Sequence, residues 1–376
     1  MSDIQHHLAS IKVDDMDIDV PPSVQQATTL LKENLATATQ AVLACEPINA
    51  TPQDIQSALA KALRANAPEP DNATFPWGGD LQLSVNATSI PNLLEVQLWF
   101  AIECGQDTML LLFAPQQNHW SEKLLWQSPP YKEDSGAFGD FFLTAHLLGA
   151  SPNDWRLVVA HGKPWCTSRF SSFNIDVLAP NPNGTHPRVI WHIDRNYSRA
   201  EFAPTLKASG NVFELRIHAD DMLFDPDSGY ERTVIYRYRV SGSNVTRLDP
   251  IATTGRGFVE EWLSMPWLEA ADQSLPTNSE ELQLIHHLYE TGYLESSNTY
   301  TSWNVGAVRS CSASGHFQVA FDSQRDRIVP GKPGGEQDKP IPYFFQIKQI
   351  ANGYQMESAS KTSDPTCTGS DLMSKP

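Results

Sequence analysis

From residue 80 to about 252 the chain repeats one device: a short run in which apolar and polar residues alternate, then a turn. In DLQLSVNA the apolar positions are Leu81, Leu83 and Val85, and in LLEVQLWF they are Leu94, Val96 and Leu98, with Glu95 and Gln97 between them. A period of two is that of a β-strand with one face buried. Further strands are predicted at 108–113, 123–126, 141–148, 155–160, 170–178, 188–193, 212–217, 233–240 and 244–248. Turn sequences such as Ser151-Pro152-Asn153-Asp154 and Asn181-Pro182-Asn183-Gly184 separate them. Short strands at this spacing specify a mainly β fold, either an antiparallel sandwich or a propeller-like meander. Periodicity does not choose between the two. No repeat of blade length stands out, which counts against the propeller.

Helices flank this region. Pro21-Pro22 bars a helix before Ser23, a good N-cap, and Val24, Ala27, Leu31, Leu35, Ala38 and Val42 then recur at intervals of three and four. Thr51-Pro52-Gln53-Asp54 restarts the chain with a cap and a proline at the first helical position, followed by Ile55, Leu59 and Leu63. The pair reads as an N-terminal αα-hairpin whose apolar stripe packs on the β region as a brace.

After Ala252 the helical period returns. Phe258, Trp262 and Leu263 share a face before Pro266 interrupts, and Thr277-Asn278-Ser279-Glu280 opens a helix carrying Leu282, Ile285 and Leu288 that Gly292 stops. Strands follow at 303–308, 316–321, 343–350 and 353–359, with Asn352-Gly353 as a hairpin turn between the last two. The expected organisation is an acidic lead at 1–22, the hairpin brace at 23–65, a proline-bearing linker at 66–79, a β-rich domain at 80–252 and a C-terminal α+β domain at 253–376.

Charge narrows the partners. Against 44 acidic side chains stand 27 basic ones, a formal charge of −17, and no Lys/Arg block offsets it, so nucleic acid is excluded as a partner. The longest apolar run, 109–114, is far too short for membrane insertion, and the chain is expected to be soluble. Its first nineteen residues carry Asp3, Asp14, Asp15, Asp17 and Asp19 and lack the basic-then-apolar order of a secretion signal. The compartment stays open: an extracytoplasmic one follows only if Met1 begins a trimmed chain and the cysteines pair. Context suggests Cys104 with Cys166 and Cys311 with Cys367, which leaves Cys45 over; buried thiols throughout are the other reading.

The residues that could carry chemistry are few. His161 and Cys166 offer an imidazole base and a thiol nucleophile, or simply a strand-edge turn through Pro164. His192-Ile193-Asp194 ends a strand with two potential metal ligands on one side, and His218 on a later strand is a candidate third; the same tripeptide arises often by chance. His286-His287 lacks the spacing of a helical zinc site and reads as one core-facing and one solvated histidine. Asp225-Pro226-Asp227-Ser228-Gly229 is too incomplete for a calcium loop, and Gly331-Lys332-Pro333-Gly334-Gly335 for a phosphate cradle. Trp155, Trp165 and Trp191 would suit a sugar or an apolar ligand if they lay exposed, and the core if they did not. Six Asn-x-Ser/Thr sites, the first at Asn49, matter only in a glycosylating host.

No motif of high specificity for catalysis, a nucleotide or a metal appears. The chain therefore reads as a non-catalytic binding or interaction protein without a cofactor, taking a small molecule, a glycan or a protein. The alternative is an enzyme using the His161/Cys166 pair or a metal at His192 and Asp194.

Overall fold

The computed structural model describes residues 22–64, 81–102, 105–128, 141–151, 154–162, 170–198, 204–219, 232–292, 299–327, 329 and 336–372. These divide into two compact units. One runs to Asn196 and adds 206–213 and 240–245; the other comprises 197–205, 214–239 and the residues from Thr246 onward. The fold is mainly β, with antiparallel pairing, as the alternation demanded.

In the first unit, helices α1 (Pro22–Cys45) and α2 (Pro52–Arg64) precede a four-stranded sheet of β1 (Gln82–Ala87), β2 (Leu94–Ile102), β3 (Gly105–Gln116) and β4 (His119–Gln127), in that order. α1 begins on Pro22 itself rather than after it, because the first turn of a helix needs no proline N–H. The cap of α2 is as expected: the Asp54 amide donates to Thr51 Oγ1 at 3.2 Å, and the Thr51 amide donates back to the Asp54 carboxylate at 3.0 Å. The Thr51 hydroxyl, donating to the Asp54 carboxylate at 2.6 Å, and after it the Thr51 amide hold Asp54 below its usual carboxylate range.

One face of the sheet, with Val85, Val96, Leu98, Phe100, Leu111 and Phe113, shares a core with Val24, Leu31, Leu35, Ile55, Leu59 and Leu63 of the helices. Each such side chain stabilises the unit by about 1.5–3 kcal/mol when fully buried. The other face contributes Leu110, Leu112, Leu124 and Trp126 to a second core, shared with Trp155, Leu157, Val159 and Leu178. Burial on both faces is why 109–114 is an unbroken apolar run, where a half-buried strand would alternate. A lysine locks the helix down. Lys32 is buried, donating to the Ser128 main-chain oxygen and hydroxyl at 2.9 Å each, and it lies 3.3 Å from Asp107. Burial, the largest influence, raises the Asp107 pKa against the opposing pull of Lys32 and Ser128.

The second core is completed by a sheet of β5 (Phe142–Ser151), β6 (Asp154–Gly162), β7 (Phe170–Asn181) and β8 (Gly184–Ser198), again in chain order. Two sheets with a common core are the sandwich arrangement. A third sheet has β9 (Thr205–Ser209), β10 (Val212–Ala219), β11 (Arg232–Ser241) and β12 (Asn244–Arg247) in the order β12-β11-β10-β9. β9 escapes the sequence reading: TLKAS is short and exposed, so it has no apolar alternation.

In the second unit, α3 (Gly255–Ser264), α4 (Trp267–Asp272) and α5 (Ser279–Gly292) precede β13 (Thr299–Ser310), β14 (His316–Arg327), β15 (Glu336–Gln337), β16 (Ile341–Ile350) and β17 (Gly353–Ser360). The sheet order is β13-β14-β16-β17, with the two-residue β15 on β14. Thr254 caps α3 by accepting from the Gly257 amide at 3.0 Å, and Pro266 separates α3 from α4. Trp262, Leu263, Leu282 and Ile285 pack with Trp303, Phe321, Phe345 and Met356 in one core. Leu288, expected on that face, is exposed instead. Gly353 turns the last hairpin at φ 124°, a conformation closed to most residues. Cys311 and Cys367 form a disulfide across a separation of 56 residues, and Cys45 is exposed and free. No helix among the described residues is long and apolar enough to cross a membrane.

Candidate functional site

The register of β6 on β7 sets Leu157 opposite Leu178, Val159 opposite Asp176 and His161 opposite Asn174. Directly opposed residues share a sheet face, so this face turns from apolar to polar along the two strands. Leu157, Val159 and Leu178 belong to the second core; Asp176, His161 and Asn174 continue from it. β8 brings His192 and Asp194 to the polar end.

These side chains form a chain of alternating histidine and aspartate. His161 Nε2 lies 3.6 Å from one oxygen of Asp176, whose other oxygen is 2.7 Å from His192 Nδ1; His192 Nε2 is 3.1 Å from Asp194. Side-chain exposure rises along it, from 4% at His161 through 11% at Asp176 to 44% at His192 and 57% at Asp194. Trp126 meets the His161 ring edge-on at 5.8 Å and stacks on Phe142 at 5.7 Å, closing the inner end. Asn174, its amide turned to donate, reaches the second oxygen of Asp194. The chain is sealed at one end and open to water at the other.

A neutral imidazole has one donor and one acceptor. With a carboxylate at each nitrogen, His192 meets both only as the imidazolium. Partial burial is the largest single influence on its pKa and lowers it, but the hydrogen bonds and charges of Asp176 and Asp194 together outweigh burial and hold it above its usual value.

Sequence-level candidates fall unevenly on this site. His161 and the pair His192/Asp194 are brought into one chain, and the residue that joins them, Asp176, was missed. It occupies a polar slot in the alternation of FNIDV, which reads as solvent-facing, whereas its slot continues the core face. Cys166, Trp165 and Cys104 lie outside the described residues, as do the Asp225–Gly229 and Gly331–Gly335 loops. His218 is on β10, its side chain outside the description. Among the described residues, no group of three or more His, Cys, Asp or Glu side chains is arranged to hold a metal ion. Trp155 fills the core; half-buried Trp191 meets Phe213 edge-on at 6.2 Å.

Two other polar clusters were invisible in the sequence. Between β2 and β5, buried Glu95 lies 2.7 Å from His146 Nε2 and accepts from Gln97 at 2.8 Å and Thr144 at 3.0 Å. In the second unit, Arg247 Nη2 lies 2.6 Å from Glu261 and Nη1 3.0 Å from Glu269, while Arg232 lies 3.2 Å from Glu260 and 3.4 Å from Glu261. Arg256 joins Glu260 at 3.0 Å, and the Arg247 guanidinium stands 5.0 Å over the Tyr236 ring. Burial works against the Arg247 charge most strongly, but Tyr238, Glu261, Glu269 and Tyr236 together raise its pKa. His286 and His287 divide as expected: the first is buried, with Nε2 donating to the Met265 carbonyl at 2.8 Å, and the second is exposed.

No family model matches the chain, and no curated protein matches it. Among solved structures it is similar to the catalytic domain of a GH62 α-L-arabinofuranosidase from Coprinopsis cinerea, at 12% identity and a TM-score of 0.22 over 77% of this chain and 70% of that one. A second likeness is to an α-L-arabinofuranosidase from Podospora anserina in complex with cellotriose, at 10% identity and a TM-score of 0.17 over 73% of this chain and 94% of that one. At such scores neither bears on fold or function.

Proposed function

We propose that this protein is a non-catalytic binding protein that takes a hydroxyl-rich ligand of the glycan class at the open end of the His161–Asp194 chain. The observation that carries the reading is the gradient of exposure along that chain, which leaves His192 and Asp194 facing water while Asp176 fixes the ring from behind. The Asp194 carboxylate and the His192 ring are acceptor groups at the exposed end, suited to the hydroxyl donors of such a ligand. No cofactor is invoked. The helical hairpin acts as a brace, and the excess of 44 acidic over 27 basic side chains disfavours nucleic acid. The Cys311–Cys367 bond favours an oxidising compartment.

The test is a glycan array followed by calorimetry with the purified full chain and Asp194→Asn. Binding that the substitution abolishes supports the reading; binding it leaves unchanged sinks the site. The enzyme alternative, through His161 and Cys166 or a metal at His192 and Asp194, takes over if a bound glycan is turned over or the protein carries stoichiometric zinc or iron. Peptide mapping after alkylation without reduction tests the compartment: a free Cys311 would remove its support.

A further inference from the structure

We propose that His192 is a proton-operated latch on this site: as the imidazolium it bridges Asp176 and Asp194 and closes the site, and on losing its Nε2 proton it releases Asp194 to a ligand's hydrogen-bond donors. The inference rests on the binding reading above and adds its regulation.

Asp176 on β7 holds Nδ1 at 2.7 Å, and Asp194 on β8 stands 3.1 Å from Nε2. Both bonds need a proton on the ring side, so the closed geometry belongs to the charged ring. When one proton leaves, the nitrogen at the shorter and more buried contact keeps its hydrogen. Nε2 then presents a lone pair to the Asp194 carboxylate, acceptor against acceptor, and the more exposed partner moves.

His161 on β6 faces the far oxygen of Asp176 at 3.6 Å, and Arg195 donates from Nη1 to the main-chain oxygen of Asp194 at 2.9 Å. Asn174 on β7 donates to the Asp194 oxygen that His192 does not use, so it can steady the released carboxylate. A ligand donor then finds an imidazole lone pair and a carboxylate aimed at one place. Below the midpoint the lone pair is protonated and the carboxylate is spent on it.

The experiment is a pH titration of the 15N-labelled imidazole in the full chain by NMR, for wild type and Asp194→Asn, with glycan binding measured at pH 5.5 and 8.5. Both ring nitrogens should be protonated at pH 5.5, Nε2 should deprotonate while Nδ1 stays protonated, and Asp194→Asn should lower the midpoint. A ring neutral at pH 5.5, proton loss from Nδ1 first, or an unmoved midpoint in Asp194→Asn overturns the latch. For a glycan that binds, affinity should weaken about tenfold for each unit of pH below the midpoint, as the competent fraction falls. His192→Gln should flatten that profile. Flat binding in wild type while His192 titrates overturns the latch and leaves the binding function intact. A ring that titrates as stated, in a protein that binds no glycan at either pH, sinks the ligand class and leaves the proton-driven opening standing.

Discussion

The Arg232–Arg247 cluster of the second unit, which joins strands β11 and β12 to helices α3 and α4, and the His161–Asp194 chain of the first, which lies wholly on strands, are both built from charged or titratable side chains, yet they solve opposite problems. In the cluster three guanidinium groups meet three carboxylates, Glu260, Glu261 and Glu269, and Arg232, Arg247, Glu260 and Glu261 are almost fully buried. Among these six side chains the charges balance. In the histidine chain two carboxylates share one imidazolium at the outer end, and the last two members face water. A buried network lies out of a ligand's reach; one whose last members face water does not. Burial without paired charge would be ruinous in the first place, whereas solvent screens the charges at the exposed end of the second.

That contrast can be broken by experiment. The largest effect expected is from Arg247→Met, which leaves Glu261 and Glu269 without their main cation and should cost about 3–5 kcal/mol in urea denaturation. Replacing Arg247 and Glu261 together with apolar residues should cost clearly less than the sum of the two single changes; simple additivity would show that they do not act as a network. Lys32→Met should cost about 3 kcal/mol by stranding buried Asp107. Because the folded-state pKa of Asp107 is already raised, the folded form prefers the protonated acid, so this loss should be smaller at pH 4 than at pH 7.

The open chain should respond more weakly. Asp176→Asn, the one change there at a well-buried position, should cost about 1–2 kcal/mol. His192→Gln should stay within about 0.5 kcal/mol of wild type at pH 7, and its signature is instead the pH dependence. A histidine pKa raised on folding stabilises the protein fully below the unfolded value and loses that contribution as pH rises through the folded one. Wild type should therefore lose a little stability from about pH 6.5 upward, and His192→Gln should not. A His192→Gln protein as damaged as Arg247→Met would erase the distinction between the two regions.

Local features were legible because they are written in consecutive residues. The Thr51–Asp54 cap, the Pro266 break, the Asn352-Gly353 turn and the alternation in β1 and β2 each depend on short-range sterics or hydrogen bonding. Even the split of His286 from His287 follows from the angle between neighbours on a helix. What failed was the inference from polarity to exposure. Lys32, Glu95 and Asp176 occupy polar slots and are buried, because another layer lies over a face that the period alone assigns to solvent.

The sequence by itself determined that this chain forms strands of period two between helical flanks, since side-chain alternation and turn chemistry are local properties of the backbone. It also put His192 and Asp194 on one side of a strand. Only the tertiary structure decided that Asp176 stands behind His192 and that His161 stands behind Asp176. Those contacts depend on the register of β6 on β7 and on the approach of β8, and register is set by the packing of whole sheets rather than by any one strand.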